Sequence, residues 1–368
     1  MSKPIQLDGS ILEGGGQLLR VAVALSAVTR QPIQVDKIRL RREKPGLRHQ
    51  HLAAVKAVAE LVDAEVAGLE VGSESITFQP RRSTEMNLHV DIGTAGSTTL
   101  VLQALMPALA FAPDRIGVTL SGGTNNPLAP STDYMKHVLI PSLSQMGYNC
   151  RVELGRRGFY PRGGGEVKIA SRPASLLKAL QPTAPGIVSN FRIFSYSCQL
   201  PSHVTERMVS TATSTLRKSG FEVTKTEIEA RQKGDPQCSV DPGCGLLIVV
   251  EYDSGAFAGF DGLGERGKPA EKVAEEVASN ALRHLKSTFP VEPHLCDQLI
   301  VWMSLASGLS ELRTSEFTLH ALTCMEIAHR MLGVEFDVQG KLGEAATIRC
   351  NGIALHNEID QLSDRVSE

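Results

Sequence analysis

The chain has little net charge, few aromatic rings and no cysteine pattern. Its 38 Lys and Arg against 40 Asp and Glu leave a net charge of −2 over 368 residues, so any contact with nucleic acid must come from a local patch, not a global field. Long duplex is therefore disfavoured as a partner. Aromatic residues make up 5% of the chain, fewer than expected of a protein that only binds RNA ends by stacking. The seven cysteines (Cys150, Cys198, Cys238, Cys244, Cys296, Cys324 and Cys350) are odd in number and scattered, with no CxxC pair. That spacing argues against a disulfide framework or a structural zinc site and for a reducing, intracellular setting. No run approaches the roughly 18 apolar residues that cross a bilayer, and the opening MSKPIQLDGS has no apolar signal core. A soluble protein with no membrane partner is expected.

What is present is an ordinary globular mixture, 42% hydrophobic and 21% charged, enough to bury a core in two or three domains. Its patterns repeat. A helix opened by glycines at about 17 to 29 leads to a strand at 33 to 39, a helix in HLAAVKAVAELVDA and the strands VAGLEVG and SITFQP. A second pass runs through GTAGSTTLVLQALMPALAFA, IGVTLSGG, DYMKHVLIPSLSQMG, YNCRVELGRR and GGGEVKIAS. A third has DQLIVWMSLASG as helix, EFTLH as strand, TCMEIAHRMLG as helix, then VEFDVQG and ATIRCNG. In the first and third passes Gln17 precedes Arg39, and Gln298 precedes His320, by the same 22 residues.

The expected class is α/β (α+β): three β-α-β-α-β-β units around a pseudo-threefold axis, with two helices covering one face of each mixed sheet. Between the second and third units lies a smaller α/β insert of about 90 residues, expected to pack as a separate lobe. Its strands are IVSNFRIFSYSC, FEVTKTEIEA and GLLIVVEYDS, with the helix SHVTERMVSTATSTLRKSG. The expected boundaries are 1–184 for the first two units, 185–278 for the insert, 279–353 for the third unit and 354–368 for a polar, frayed or disordered tail.

Three groups could carry chemistry. Glu13-Gly14-Gly15-Gly16-Gln17 is either a tight turn without ligand or an anion cradle, with Glu13 able to hold a divalent cation. It lacks the Lys-Ser/Thr ending of a P-loop. The basic stretch Lys37, Arg39, Arg41, Arg42, Lys44, Arg48, His49, Gln50 and His51 is either a phosphate-binding patch or a solvated strand edge. Strand periodicity sets Arg39 and Arg41 on one face and Arg42 on the other. His320, with His294, Asp297 and Gln298, is either a satisfied structural histidine or a nucleophile, since a neutral imidazole can attack phosphorus near its ordinary pKa. The glycines of RGFYPRGGGEV are read as a hairpin or bulge turn.

EGGGQLLR, KPGLRHQHL, SGGTNNPLAP, RRGFYPRGGGEV, CDQLIVWMSLASG and FTLH, in that order over nearly the whole chain, resemble the RNA 3'-terminal phosphate cyclases. The resemblance implies an ATP-dependent ligase that converts an RNA 3'-phosphate to a 2',3'-cyclic phosphodiester through adenylyl-histidine and RNA-(3')pp(5')A intermediates, releasing pyrophosphate and AMP. By position, it implies His320 as nucleophile and Glu13 as the metal-associated carboxylate, with Mg2+ or Mn2+ as the ion. Arg20, Arg39, Arg42, Gln50 and His51 match positions around the phosphates and the RNA end. Gln103, Pro130, His294, Asp297, Gln298 and His320 match the nucleotide pocket. His294 departs from the Tyr that many relatives carry, so adenine would stack on a smaller, titratable ring.

The partners implied are an RNA with a 3'-phosphate end and ATP, and a homodimer is compatible with the pattern. The compartment is nucleus or cytoplasm. Two other classes share parts of this layout. A non-catalytic relative binding pre-ribosomal RNA would lack a nucleophile at position 320, and an enolpyruvyl transferase of repeated units would form no nucleotidyl-histidine.

Overall fold

The computed structural model describes residues 3–81, 87–181 and 186–357. It is a mixed α/β protein, with four sheets among the described residues. The first unit runs β1 (Ile5–Asp8), α1 (Gly16–Thr29), β2 (Ile33–Asp36), α2 (His49–Leu61), β3 (Glu65–Ala67) and β4 (Ile76–Gln79), and its sheet has the order β1-β2-β4-β3. The second runs β5 (Asn87–Asp91), α3 (Thr98–Ala110), β6 (Ile116–Gly122), then a broken helix, β7 (Asn149–Arg156) and β8 (Gly165–Arg172). The broken helix comprises α4 (Thr132–Tyr134), a π-helical turn (Met135–Leu139) and α5 (Ile140–Gln145). Its sheet order, β5-β6-β8-β7, is that of the first.

The insert follows, as β9 (Val188–Cys198), α6 (His203–Lys218), β10 (Lys225–Arg231), β11 (Gly243–Tyr252), β12 (Phe257–Leu263) and α7 (Ala270–Leu285). The third unit holds α8 (Pro293–Leu305), β13 (Leu309–Thr314), α9 (Leu319–Leu332), β14 (Phe336–Gln339) and β15 (Ala346–Asn351), in the order β13-β15-β14. A single parallel bridge from Val291 to Thr314 stands where the other units have a first strand.

Local sequence explains these elements. IGVTLSG in β6 alternates buried and half-buried residues, the period of a strand with one face on a core. In α1, α3, α8 and α9 the apolar stripes meet in one core, α1 packing on both α3 and α9.

Four expectations need correcting. The strand expected at 33 to 39 stops at Asp36, because Lys37 (φ 53°) and Arg39 (φ 55°) are left-handed and turn the chain away. The basic stretch is therefore a loop and a helix start, and the reading of its faces by strand periodicity falls. EFTLH is not a strand: Thr318 caps α9, and His320 lies in that helix's first turn. The equal 22-residue spacings are thus not structural counterparts. By topology α9 matches α2, and the second helical residue is His320 in one and Gln50 in the other. The insert boundary at 278 cuts α7, whose Ala281 belongs to the insert's own core. The boundary at 184 and the tail beyond 357 lie outside the described residues. Asn357 itself is buried, its amide donating to the Ala112 and Ala174 carbonyls at 2.9 and 3.2 Å.

The insert is not packed apart from the body. Along β11, Leu246, Ile248 and Val250 face the insert's helices, whereas Leu247 and Val249 join the main core. The loop between β7 and β8, read from sequence as a plain turn, clamps the two lobes. Arg157, 3% exposed, makes paired hydrogen bonds to Asp133 at 2.7 and 3.2 Å and to Glu229 of the insert at 2.9 and 3.1 Å. Its guanidinium lies 3.8 Å over the Tyr196 ring. Burial opposes its charge, but the two carboxylates outweigh that and hold it firmly protonated. Arg162 repeats the contact with Asp241 at 2.8 Å.

Arg157→Ala would strand two carboxylates, one of them buried, and should cost about 3–5 kcal/mol. Denaturant unfolding of the purified protein measures it, and a loss below about 1 kcal/mol would show that the clamp does not hold the lobes.

Candidate active site

The glycine run ends where α1 begins, and close packing explains two of its glycines. A β-carbon at Gly16 would collide with the His51 ring and crowd the Arg20 guanidinium. One at Gly15 would meet the Glu13 carboxylate. That carboxylate accepts the Gly15 N–H at 2.7 Å, a bond to the exposed N–H groups of a helix start, and pairs with Arg42. Glu13 N–H reaches the Thr323 hydroxyl of α9 at 3.4 Å, which ties the first unit to the third.

Around this turn the cations differ in their commitments. Arg39 donates to the Lys44 and Gly46 carbonyls at 2.8 and 2.9 Å. These bonds use Nη1 alone and anchor its loop, leaving Nε and Nη2 able to donate elsewhere. Arg20 is the opposite case: among the described residues it has no carboxylate partner and no hydrogen bond. Burial lowers its pKa to about 10, so it remains charged at neutral pH. A half-buried guanidinium without such a partner is suited to receiving an anion. His51, 4% exposed, accepts the Arg48 N–H at Nδ1 (3.1 Å). Burial, then Arg20, Arg39 and Arg48, lower its pKa to about 3. The ring is thus neutral, with its proton on Nε2 beside Gly16. Gln50 sits against Gly96 of the β5–α3 loop.

The second half of the site is built on α8 and α9. Asp297, 7% exposed, accepts the Thr318 hydroxyl proton, while the Thr318 oxygen accepts the Ala321 N–H at 3.0 Å. The carboxyl of one helix thereby fixes the N-cap of the other, and the cap sets His320 two residues on. Burial is the main cause that raises Asp297 to about 7, against the opposing pull of Thr318 and His294. Gln298 donates to the His294 carbonyl at 3.0 Å and accepts from Gln103 at 2.8 Å. With Gln17, Arg20, Asp297 and Cys324, these glutamines line one cavity between α1, α3, α8 and α9. Pro130 lies on the rim of α4, its carbonyl accepting the Thr99 hydroxyl at 2.7 Å.

His320 links the halves. Its ring is exposed on one side, and its pKa is lowered by partial desolvation first, then by Arg20, His294 and Arg42. The imidazole therefore stands neutral beside cations of the first unit, not buried among hydrocarbon. Thr318 and Glu292 were missed in the sequence. Thr318 had a signal, a Thr directly before an apolar helical run. Glu292 had little: it is a buried carboxylate that caps α8 by accepting the His294 and Leu295 N–H groups at 2.7 and 2.8 Å.

The family described as RTC, RNA 3'-terminal phosphate cyclase, matches residues 11–338. An RNA 3'-terminal phosphate cyclase of Desulfurococcus amylolyticus is 44% identical over 353 residues, covering 95% of this chain and 98% of that protein. Proteins of the same name from Ignicoccus hospitalis and Pyrobaculum aerophilum are each 41% identical, over 351 and 349 residues, covering 95% of this chain and 99% and 98% of their own lengths. Among the described residues no helix is long and apolar enough to cross a membrane.

The histidine environments set a pH test. His320 should titrate below 6.5 and His51 near 3 in imidazole NMR spectra. Between pH 6.5 and 3 the unfolded chain binds a proton at position 51 that the folded one refuses, so His51 makes stability fall with acidification. His51→Asn should flatten that slope, and an unchanged slope would contradict the buried neutral ring.

Proposed function

Because the chain belongs to the RNA 3'-terminal phosphate cyclase family, we propose that it converts an RNA 3'-phosphate to a 2',3'-cyclic phosphodiester at the expense of ATP, using His320 as a temporary carrier of AMP. The observation that carries this reading is the exposed His320 in the first turn of α9, whose cap Thr318 is held by Asp297 of the cavity that Arg20 also lines.

In the first step a nitrogen of His320 attacks the α-phosphorus of ATP. A P–N bond forms, the bond to the β-phosphate oxygen breaks, and pyrophosphate leaves. Arg20 meets the charge that builds on the phosphates, as a preformed cation in an enclosed site. The Asp297–Thr318 cap keeps the ring in place. In the second step an oxygen of the RNA 3'-phosphate attacks the adenylyl phosphorus, and the P–N bond breaks to return the neutral imidazole. The RNA end now carries an anhydride to AMP. In the third step the adjacent 2'-oxygen attacks the 3'-phosphorus, its proton passes to water, and AMP leaves. Because nucleophile and phosphorus belong to one ribose, that step depends on positioning more than on a strong base.

The Gln103–Gln298 pair and Pro130 are proposed to line the nucleoside, with His294 as the ring against adenine. Arg42, Gln50 and His51 would receive the RNA end, Arg42 by exchanging Glu13 for phosphate. Among the described residues no group of three or more His, Cys, Asp or Glu is placed to hold a metal. One carboxylate, Glu13, fits a Mg2+ or Mn2+ held mainly by substrate oxygens. When bound, such an ion would neutralise the triphosphate.

Incubation with α-labelled ATP and a divalent metal should label the protein through an acid-labile, base-stable bond. His320→Ala should abolish the label, and its persistence would move the nucleophile elsewhere. Arg42→Ala should reduce cyclisation of 3'-phosphate RNA about 10-fold or more while sparing self-labelling. Equal losses in both assays would remove Arg42 from the RNA end.

A further inference from the structure

β12 of the insert lies directly on the broken helix of the second unit. Gly259 is pressed against Tyr134 and Val138, leaving no room for a β-carbon. Two residues on, Asp261 turns to the same side, and its Oδ2 accepts the backbone N–H of Ser131 at 3.1 Å. Ser131 follows Pro130 and caps α4, its hydroxyl oxygen accepting the Tyr134 N–H at 3.1 Å. The Tyr134 hydroxyl donates to Glu292, whose carboxylate holds the His294 N–H at 2.7 Å. Hydrogen bonds thus connect Asp261 of the insert through Ser131, Tyr134 and Glu292 to His294, and Pro130 is the chain neighbour of Ser131. Pro130 and His294 are the two residues set to flank the base.

We propose that Asp261 of the insert is a positioning residue of the nucleotide pocket, fixing the Pro130–Ser131 segment against His294. This rests on the assignment of the pocket to ATP. Asp261 is half-buried and forms no ion pair among the described residues, and the salt bridges between the lobes are made by Arg157 and Arg162. Burial raises its pKa, opposed by Ser131 and His294, which fits a carboxylate facing the histidine side of the pocket. The insert then acts on the nucleotide as well as on RNA.

The test uses the full chain and steady-state cyclisation of a 3'-phosphorylated RNA with ATP varied. Asp261→Ala should raise the KM for ATP about tenfold while kcat stays within about twofold, as expected for one lost hydrogen bond to a bound-state segment. Asp261→Asn keeps an oxygen that can accept from Ser131 and should return KM to within about threefold of the unsubstituted protein. Glu227→Gln, an insert carboxylate bound to Lys225, should leave both constants unchanged. If Asp261→Ala does not fold, Asp261→Glu, whose longer side chain displaces the Ser131 anchor, must raise KM. An unchanged KM in the folded variant, or a fall in kcat with KM constant, overturns the proposal. Failure of the unsubstituted protein to take label from ATP would remove the ATP reading and this proposal together. Normal labelling with Asp261 variants indistinguishable from it would remove this proposal alone.

Discussion

The bond between the Asp297 carboxyl and the Thr318 hydroxyl is the constraint on which the site depends. It joins α8 to the first residue before α9, so the direction in which His320 leaves the helix is set by tertiary contact and not by the local chain. A short polar side chain on Thr318 can satisfy one N–H at the helix start and still donate to a buried acid. The same acid borders the cavity shared by α1, α3 and α8. A change in this cavity is therefore felt at the ring that stands outside it.

Electrostatics divide the site in a consistent way. Carboxyl groups on the α8 side (Asp297, Glu292 and Asp261) are all pushed upward by burial. On the α1 side stand an arginine with no carboxylate partner among the described residues and a histidine too enclosed to protonate near neutral pH. A polyanion would meet the cationic side first, and a neutral base would meet the protonatable carboxyl side. The chain as a whole carries a charge of only −2, so this polarity is local and built by folding.

Much of the architecture was legible because it is written in short-range patterns. Alternation in IGVTLSG, glycines before α1 and the helical stripes of α1, α3 and α8 all obey the periods that sequence reveals. Arg39 and His320 were misplaced for the same reason that boundaries are hard to read. A left-handed turn at Lys37 and a Thr cap at 318 are single-residue events that periodicity does not register. Glu13, His51, Asp297 and Gln298 stood out in the residue pattern and Arg20 came from the resemblance, but their hydrogen-bond partners could be read from neither. Arg39 bonds two carbonyls of its own loop, five and seven residues on, because of the turn at Lys37, whereas Arg20 has no such partner among the described residues; neither outcome is written in a periodic pattern. β12 and the contacts of Arg157 were invisible on similar grounds, since they cross from one lobe to another.

Strand β11 sends alternate side chains into two different cores. No plane can be drawn between body and insert that leaves both with a complete hydrophobic interior. The insert is consequently a poor candidate for a hinged attachment: swinging it away would bare Leu247 and Val249 to water and open the main core at the same moment. Heat or denaturant should find one cooperative unit where the linear order of the chain suggests two.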